Sequence, residues 1–282
     1  QLNGSLIISN TGGGIWFGEN GGSTTLASSQ TISVGVGGFS SGEFRLQNFV
    51  QNGATTQNIS LSGTAVMRFR TGTVFNGNVD FDAPRFFLDG ATFNGTVDIE
   101  KTGATNDNGN GGNVFTNACV FRNSGTGYFM IGNTTPDVFN SDLTLYNTST
   151  SGVYIGNNSV GNSIAGDLTL YNSPTASASS YIANGTSSSV DIAGNVSIYN
   201  NGNSAVQNVY LGNNGDVTVG GNVLIENLMS GSANEAQVLV ANGANSTVQF
   251  TGNVLVQNGG TGANSVIYLG DDGDVTFNGT LT

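Results

Sequence analysis

Short runs of alternating apolar and polar residues fill the C-terminal half of the chain, and one run keeps returning. It reads Leu143-Thr-Leu-Tyr-Asn147, Leu168-Thr-Leu-Tyr-Asn172, Val196-Ser-Ile-Tyr-Asn200, Val223-Leu-Ile-Glu-Asn227 and Val254-Leu-Val-Gln-Asn258, with 25, 28, 27 and 31 residues between successive asparagines. A second run precedes each copy and ends in a bend, as in Val190-Asp-Ile-Ala-Gly-Asn195, Val217-Thr-Val-Gly-Gly-Asn222, Val248-Gln-Phe-Thr-Gly-Asn253 and Val275-Thr-Phe-Asn-Gly-Thr280. A third follows after a Gly/Asn/Ser-rich loop of variable length: Val153-Tyr-Ile-Gly156, Ser180-Tyr-Ile-Ala183, Val209-Tyr-Leu-Gly212, Val238-Leu-Val-Ala241 and Ile267-Tyr-Leu-Gly270. Alternation over four to six positions is the period of a strand, and Gly, Asn and Asp between the runs are turn formers. No segment keeps a helical period over three turns.

A fixed repeat of this length is the mark of a stacked architecture, in which each unit buries its apolar face only against its neighbours. Three strands per repeat predict an all-β, parallel β-helix, right-handed by the usual crossover chirality. The whole chain, residues 1–282, reads as one such domain of about ten coils, most of roughly 25–28 residues. At about 4.8 Å per coil the rod is on the order of 50 Å long. Residues 75–282 are expected to form regular coils and 1–74 degenerate ones, with an irregular coil or insertion at 49–74, around Met67-Arg-Phe-Arg70. Leu6-Ile-Ile-Ser-Asn10, Phe44-Arg-Leu-Gln-Asn48 and Val120-Phe-Arg-Asn123 carry the Asn phrase, whereas Val79-Asp-Phe-Asp-Ala83 and Val97-Asp-Ile-Glu-Lys101 keep the strand and lose the Asn. Ile15-Trp-Phe-Gly18 and Phe129-Met-Ile-Gly132 match the third run.

Stacking puts like residues on top of one another. Phe75, Phe93, Phe115 and Phe139, continued by Ile164, Ile192, Val219, Phe250 and Phe277, are expected to form one inward column. Asn147, Asn172, Asn200, Asn227 and Asn258 are expected to form a structural amide ladder at a corner. Tyr146, Tyr171 and Tyr199 on the second run, and Trp16, Tyr154, Tyr181, Tyr210 and Tyr268 on the third, point outward. They form either a self-stacking ladder or a stripe that binds a glycan or a partner.

Composition narrows the function. Net charge is −12, and no Lys or Arg follows Arg122, so the basic stripe a nucleic acid needs is missing and an anionic membrane is an equally poor partner. No run is long and apolar enough to insert into a membrane, and no stretch reads as a signal peptide or lipidation motif, as expected of a mature secreted chain or of a piece of a longer one. Cys119 falls on an inward position and reads as a small buried hydrophobe. The opening Leu2-Asn-Gly-Ser-Leu-Ile phrase aligns with the closing half-coil. Open strand edges at both ends are therefore expected to be covered by continuation of the solenoid or by head-to-tail stacking of a second copy.

The absence of histidine removes Ser-His-Asp and Cys-His chemistry and the commonest general base. Paired carboxylates remain, Asp80 with Asp98 and Asp82 with Glu100, near Arg85 and Lys101. They read as a solvated outer face or as the site of a polysaccharide-active β-helix. The turn Gly270-Asp-Asp-Gly-Asp274 offers Asp271, Asp272 and Asp274 as weak calcium candidates, without the six to eight oxygens calcium takes. No other cofactor is implied. An ice-binding lattice needs a flat Thr array, and the outward positions here mix Thr, Tyr, Ser, Leu and Glu.

The phrases Phe75-Asn-Gly-Asn-Val-Asp-Phe81, Ala165-Gly-Asp-Leu-Thr-Leu-Tyr-Asn172 and Val209-Tyr-Leu-Gly-Asn-Asn-Gly-Asp216 resemble the β-strand-repeat regions of large bacterial surface adhesins. They are similar to autotransporter-type β-helix passengers and, more closely, to the Asn/Gly/Thr-rich repeats of giant Bacteroidota surface adhesins, gliding adhesins among them. The resemblance is one of style and period over most of the chain. It implies an extracellular, cell-surface location and a non-enzymatic role as stalk, fibre or adhesive rod. The alternative is a polysaccharide-binding or polysaccharide-degrading β-helix.

Overall fold

The computed structural model describes residues 1–9, 12–34, 38–173, 178–201, 206–228, 235–261 and 264–282. Asn10, expected to carry an Asn phrase, lies outside the described residues, as do parts of the loops that precede the third run. The chain is an all-β parallel solenoid. Most coils lay one strand on each of three faces, named here for the residues that line them. The Phe face is an eleven-stranded parallel sheet, and the Asn face a nine-stranded one beginning at Gln57–Ser60. The Tyr face is split into a four-stranded sheet ending at Arg85–Asp89 and a six-stranded sheet beginning at Phe129–Ile131. Among the described residues the only helical piece is a single 3-10 turn, Glu19–Gly21.

Register is what turns this sequence into a rod. Residue for residue, Leu143–Asn147 pairs with Leu168–Asn172, and that strand with Val196–Asn200, so every inward residue sits on the inward residue of the coil below. On the Phe face the inward column forms as expected: Phe75 pairs with Phe93, then Phe115, Phe139 and Ile164 in turn. Phe93, Phe115 and Phe139 stack with their planes nearly parallel, 5.0 and 4.6 Å between centroids, and all are buried. Flat rings fit a spacing of about 4.8 Å between strands, and each fully buried aromatic stabilises the fold by about 1.5–3 kcal/mol. Cys119 is buried in the core as a free thiol; burial pushes it up and leaves it inert.

Two expectations for the N-terminal part change. The stretch 49–74 is not an insertion. It holds the strands Phe49–Gln51, Gln57–Ser60, Val66–Arg70 and Val74–Phe75, which pair with their neighbours in parallel register. Its inward positions include buried Gln51 and Gln57, and those amides hid the alternation. Gln57 Oε1 accepts from Ile32 N (2.7 Å), and its Nε2 donates to Gln30 O (3.1 Å), so the buried amide is satisfied. The Phe44-Arg-Leu-Gln-Asn48 phrase belongs to the Tyr face, because Phe44 pairs with Ile15 and Met67. Apolar-x-apolar alternation is common to all three faces and cannot by itself tell them apart.

The bend from the Tyr face to the Phe face is left-handed at an equivalent position in six coils: Gly132, Gly156, Ala183, Gly212, Ala241 and Gly270 have φ of 62°, 63°, 55°, 78°, 54° and 78°. Gly supplies this conformation without strain, and the two alanines adopt it at a cost of about 1 kcal/mol.

Truncating the middle of the Phe column measures what the register contributes. Phe115→Ala is expected to cost about 3–5 kcal/mol, read as a fall in the denaturant midpoint followed by circular dichroism.

Candidate functional site

The corners of the solenoid carry most of its polar order. At the end of the Asn face the expected ladder is present: Asn147 Nδ2 donates to Asn172 Oδ1 (2.9 Å), Asn172 to Asn200 (2.8 Å), Asn200 to Asn227 (3.1 Å) and Asn227 to Asn258 (3.2 Å). The first four are fully buried and Asn258 is exposed on the last coil. Asn200 Nδ2 also bonds Gln207 O (3.1 Å), and Asn227 Nδ2 bonds Ala236 O (3.0 Å), so the ladder ties the Asn face to the Tyr face.

Two further rows escaped the sequence reading. One runs at the far end of the Tyr face, where Asn157 Nδ2 donates to Asn133 Oδ1 (2.8 Å), Asn184 to Asn157, Asn213 to Asn184 (2.6 Å) and Asn242 to Asn213. Its donors point toward the N-terminal end of the rod, opposite to the first row. The signal was the apolar-Gly/Ala-Asn phrase that closes the third run. The other row joins the Phe face to the Asn face. Asp142 Oδ1 accepts from Asp167 N (2.8 Å), Asp167 from Asn195 N (2.7 Å), Asn195 from Asn222 N (2.8 Å), Asn222 from Asn253 N (2.9 Å) and Asn253 from Thr280 N (3.0 Å). These five bend amides are thus met by the coil below.

The outward aromatics stack on one another. Tyr146, Tyr171 and Tyr199 lie 4.8 and 4.9 Å apart at 7° and 9°, and Tyr154, Tyr181 and Tyr210 lie 4.6 and 4.7 Å apart at 17° and 2°. Rings stacked this way cover each other's faces and show solvent their edges. A sugar binds an aromatic through its face, so only the end rings are open to one, and the Arg122 guanidinium already sits 5.1 Å over Tyr146. Tyr128, which the sequence reading passed over, closes the second stack edge-on at 5.2 Å from Tyr154. Tyr268 is separated from that stack by Leu239 and stands exposed. Trp16 shares the face but not the stack. Its strand neighbour is Arg45, whose guanidinium lies 4.4 Å over the indole, and Arg68 follows Arg45, 3.8 Å over Phe87. Glu19 and Asp89 bond these two arginines at 2.6 Å each, and Glu43 pairs with both.

The carboxylate pairs fall where the alternation put them: Asp80 pairs with Asp98 and Asp82 with Glu100 on the outer surface of the Asn face. Burial, and then the neighbouring carboxylates, push Asp82 up. Burial pushes Asp98 up, and Arg122, which bonds it, opposes that. A shallow groove of about 210 Å³ between Ser33, Asn58, Ser60, Asp80 and Asp82 lies beside them. The members of each pair stack one coil apart, and their side chains project from the same face. Asp271 and Asp272 lie on an exposed turn whose backbone amides bond Val240 O and Ala241 O, and Asp274 opens the next strand. Among the described residues no three His, Cys, Asp or Glu side chains are gathered to hold a metal ion, so these three are not brought together as calcium ligands.

Lys101 is the clearest departure from expectation. It does not join the outer charges but lies fully buried in the Asn-ladder column, between Ala83 and Asn123. Asp137 is a second buried surprise, at the inner corner between Asn113 and Asn162. Its Oδ1 accepts from Asn113 N (2.7 Å) and Asn113 Nδ2 (2.9 Å), while Asn162 Oδ1 accepts from Asp137 N (2.9 Å). Burial lifts its carboxyl from 3.8 to about 7 against these hydrogen bonds.

Two measurements check the corners. Asn200→Ala is expected to cost about 1–3 kcal/mol, because it strands the Asn172 amide in the core, read as a fall in denaturant midpoint. Asp137 binds its proton more tightly folded than unfolded, so stability is present at low pH and lost as pH rises from about 4 to about 7. That loss is on the order of 4 kcal/mol above pH 7. Thermal melts across this range are expected to show the decline in the native chain and a shallower one in Asp137→Asn. What remains reflects Asp82 and Asp98, which are also raised.

No family model matches the chain, and no curated protein or solved structure is found similar to it.

Proposed function

We propose that this chain is a non-enzymatic, extracellular structural rod, part of a bacterial surface filament or large adhesin. The observation that carries the reading is that outer and inner side chains alike are organised as axial ladders. Tyrosines stack at 4.6–4.9 Å, amides bond coil to coil, and the core column repeats one inward position. Each coil is held by its neighbours along one axis, the arrangement that resists bending and carries tension. A low Lys and Arg content and a net charge of −12 suit a solvated surface polymer. Apolar positions at both ends of the stack, among them Leu6, Ile15, Ile267 and Phe277, are only partly buried. Further coils of a longer solenoid or a second copy stacked head to tail would cover them. Surface glycans remain the candidate ligands, at the end rings of the tyrosine stacks and at the groove beside Asp80.

Location is the decisive test. Immunogold labelling of intact source cells with antibody to this chain is expected to decorate the cell exterior along fibres. Label that appears only after lysis would overturn the reading.

A further inference from the structure

Lys101 is the chain's only lysine, and its side chain is fully buried. A long cationic side chain is almost never buried without a partner. The small Ala83 on the coil below leaves room for the stem, and Nζ donates to Gly103 O at 2.6 Å. Six residues on, Asp107 is also buried, and its backbone N bonds Tyr128 O (3.1 Å). One carboxyl oxygen, Oδ1, accepts from Phe86 N (3.1 Å), and the other, Oδ2, has no partner. The rings of Phe86 and Phe129 stack at 5.9 Å beside it. Among the described residues no ion pair joins Lys101 to Asp107. Amine and acid are therefore shut into one coil without the contact that normally stabilises buried opposite charges. Burial pushes the amine down and the carboxyl well up, which favours the neutral form of each. The coil they occupy lays no strand on the Tyr face between Arg85–Asp89 and Phe129–Ile131.

We propose that Lys101 and Asp107 condense to an intramolecular amide that locks this coil. Nζ first leaves Gly103 O, because it lies beyond ion-pair distance of either carboxyl oxygen, and its lone pair then attacks Cγ of the protonated carboxyl. Oδ1, held by the Phe86 N–H, takes the developing negative charge, as a backbone donor does in an oxyanion hole. The Cγ–Oδ2 bond breaks, and Oδ2 leaves with its own hydrogen and one from nitrogen as water. No oxidant or other co-reactant enters. The product turns a buried amine and a buried unpaired oxygen into one neutral amide and ties the end of Val97–Lys101 to the Tyr face. Asn123, the strand neighbour of Lys101, is the poorer electrophile, because its amide already donates to Gly127 O and Gly152 O (3.1 Å each).

A single lysine makes the test sharp. The purified full chain is denatured, weighed intact and digested with a lysine-specific protease. The expected result is a chain lighter by one water, uncut at Lys101, with the loss mapped by fragmentation to residues 101–107. Lys101→Met and Asp107→Ala are expected to keep that segment at its full sequence mass, and Asp107→Ala to be cut once. A native chain cut at Lys101 with a linear 101–107 segment overturns the proposal. So does loss of ammonia with a branch at Asn123.

Discussion

The in-register stacking of one coil on the next sets everything else. A parallel ladder repeats every 4.8 Å or so, and that spacing suits flat rings face to face, amides bonding in rows and aliphatic chains in columns. Because Phe115 lies on Phe93 and beneath Phe139, and Asn172 between Asn147 and Asn200, side-chain contacts reinforce the register that the backbone bonds define. A slip of one residue would put the Phe column in water and the tyrosines in the core. Local pattern and global packing point to the same answer over most of the chain.

The outer surface obeys the same rule as the core, and its tyrosines stack as ladders. Tyr146, Tyr171 and Tyr199 form a stripe in projection, but their faces are used by each other and, at one end, by Arg122. Near the N-terminal end the same role falls to alternating cations and aromatics, Trp16 under Arg45 and Arg68 over Phe87. The acidic pairs at Asp80 and Asp98 project in parallel from a flat sheet beside an open groove.

The sequence made the architecture readable because strand alternation and a fixed repeat are local signals. It placed the Phe column, the first Asn ladder and the outward tyrosines at the positions they occupy. It misled where chemistry replaces apolarity at an inward position. Buried Gln51 and Gln57 made 49–74 look irregular, and Lys101, being charged, read as surface. A buried ionisable group is recognisable only once register shows which column it occupies. Lys101 was open to such a reading, since Ala83, Lys101 and Asn123 each close the same strand phrase. The two further Asx rows were missed because Asn and Gly at bends look like generic turn composition until their hydrogen bonds are traced from coil to coil.

Pulling a single full-length chain by its two ends tests the coil-by-coil stack most directly. If each coil is held mainly by its neighbours, extension is expected to proceed by successive small releases. Each would free about one coil, roughly 90 Å of contour for some 25 residues at about 3.5 Å each. Release of the whole contour in one event, or smooth extension without resisting steps, would contradict the rod as a stack of laddered coils.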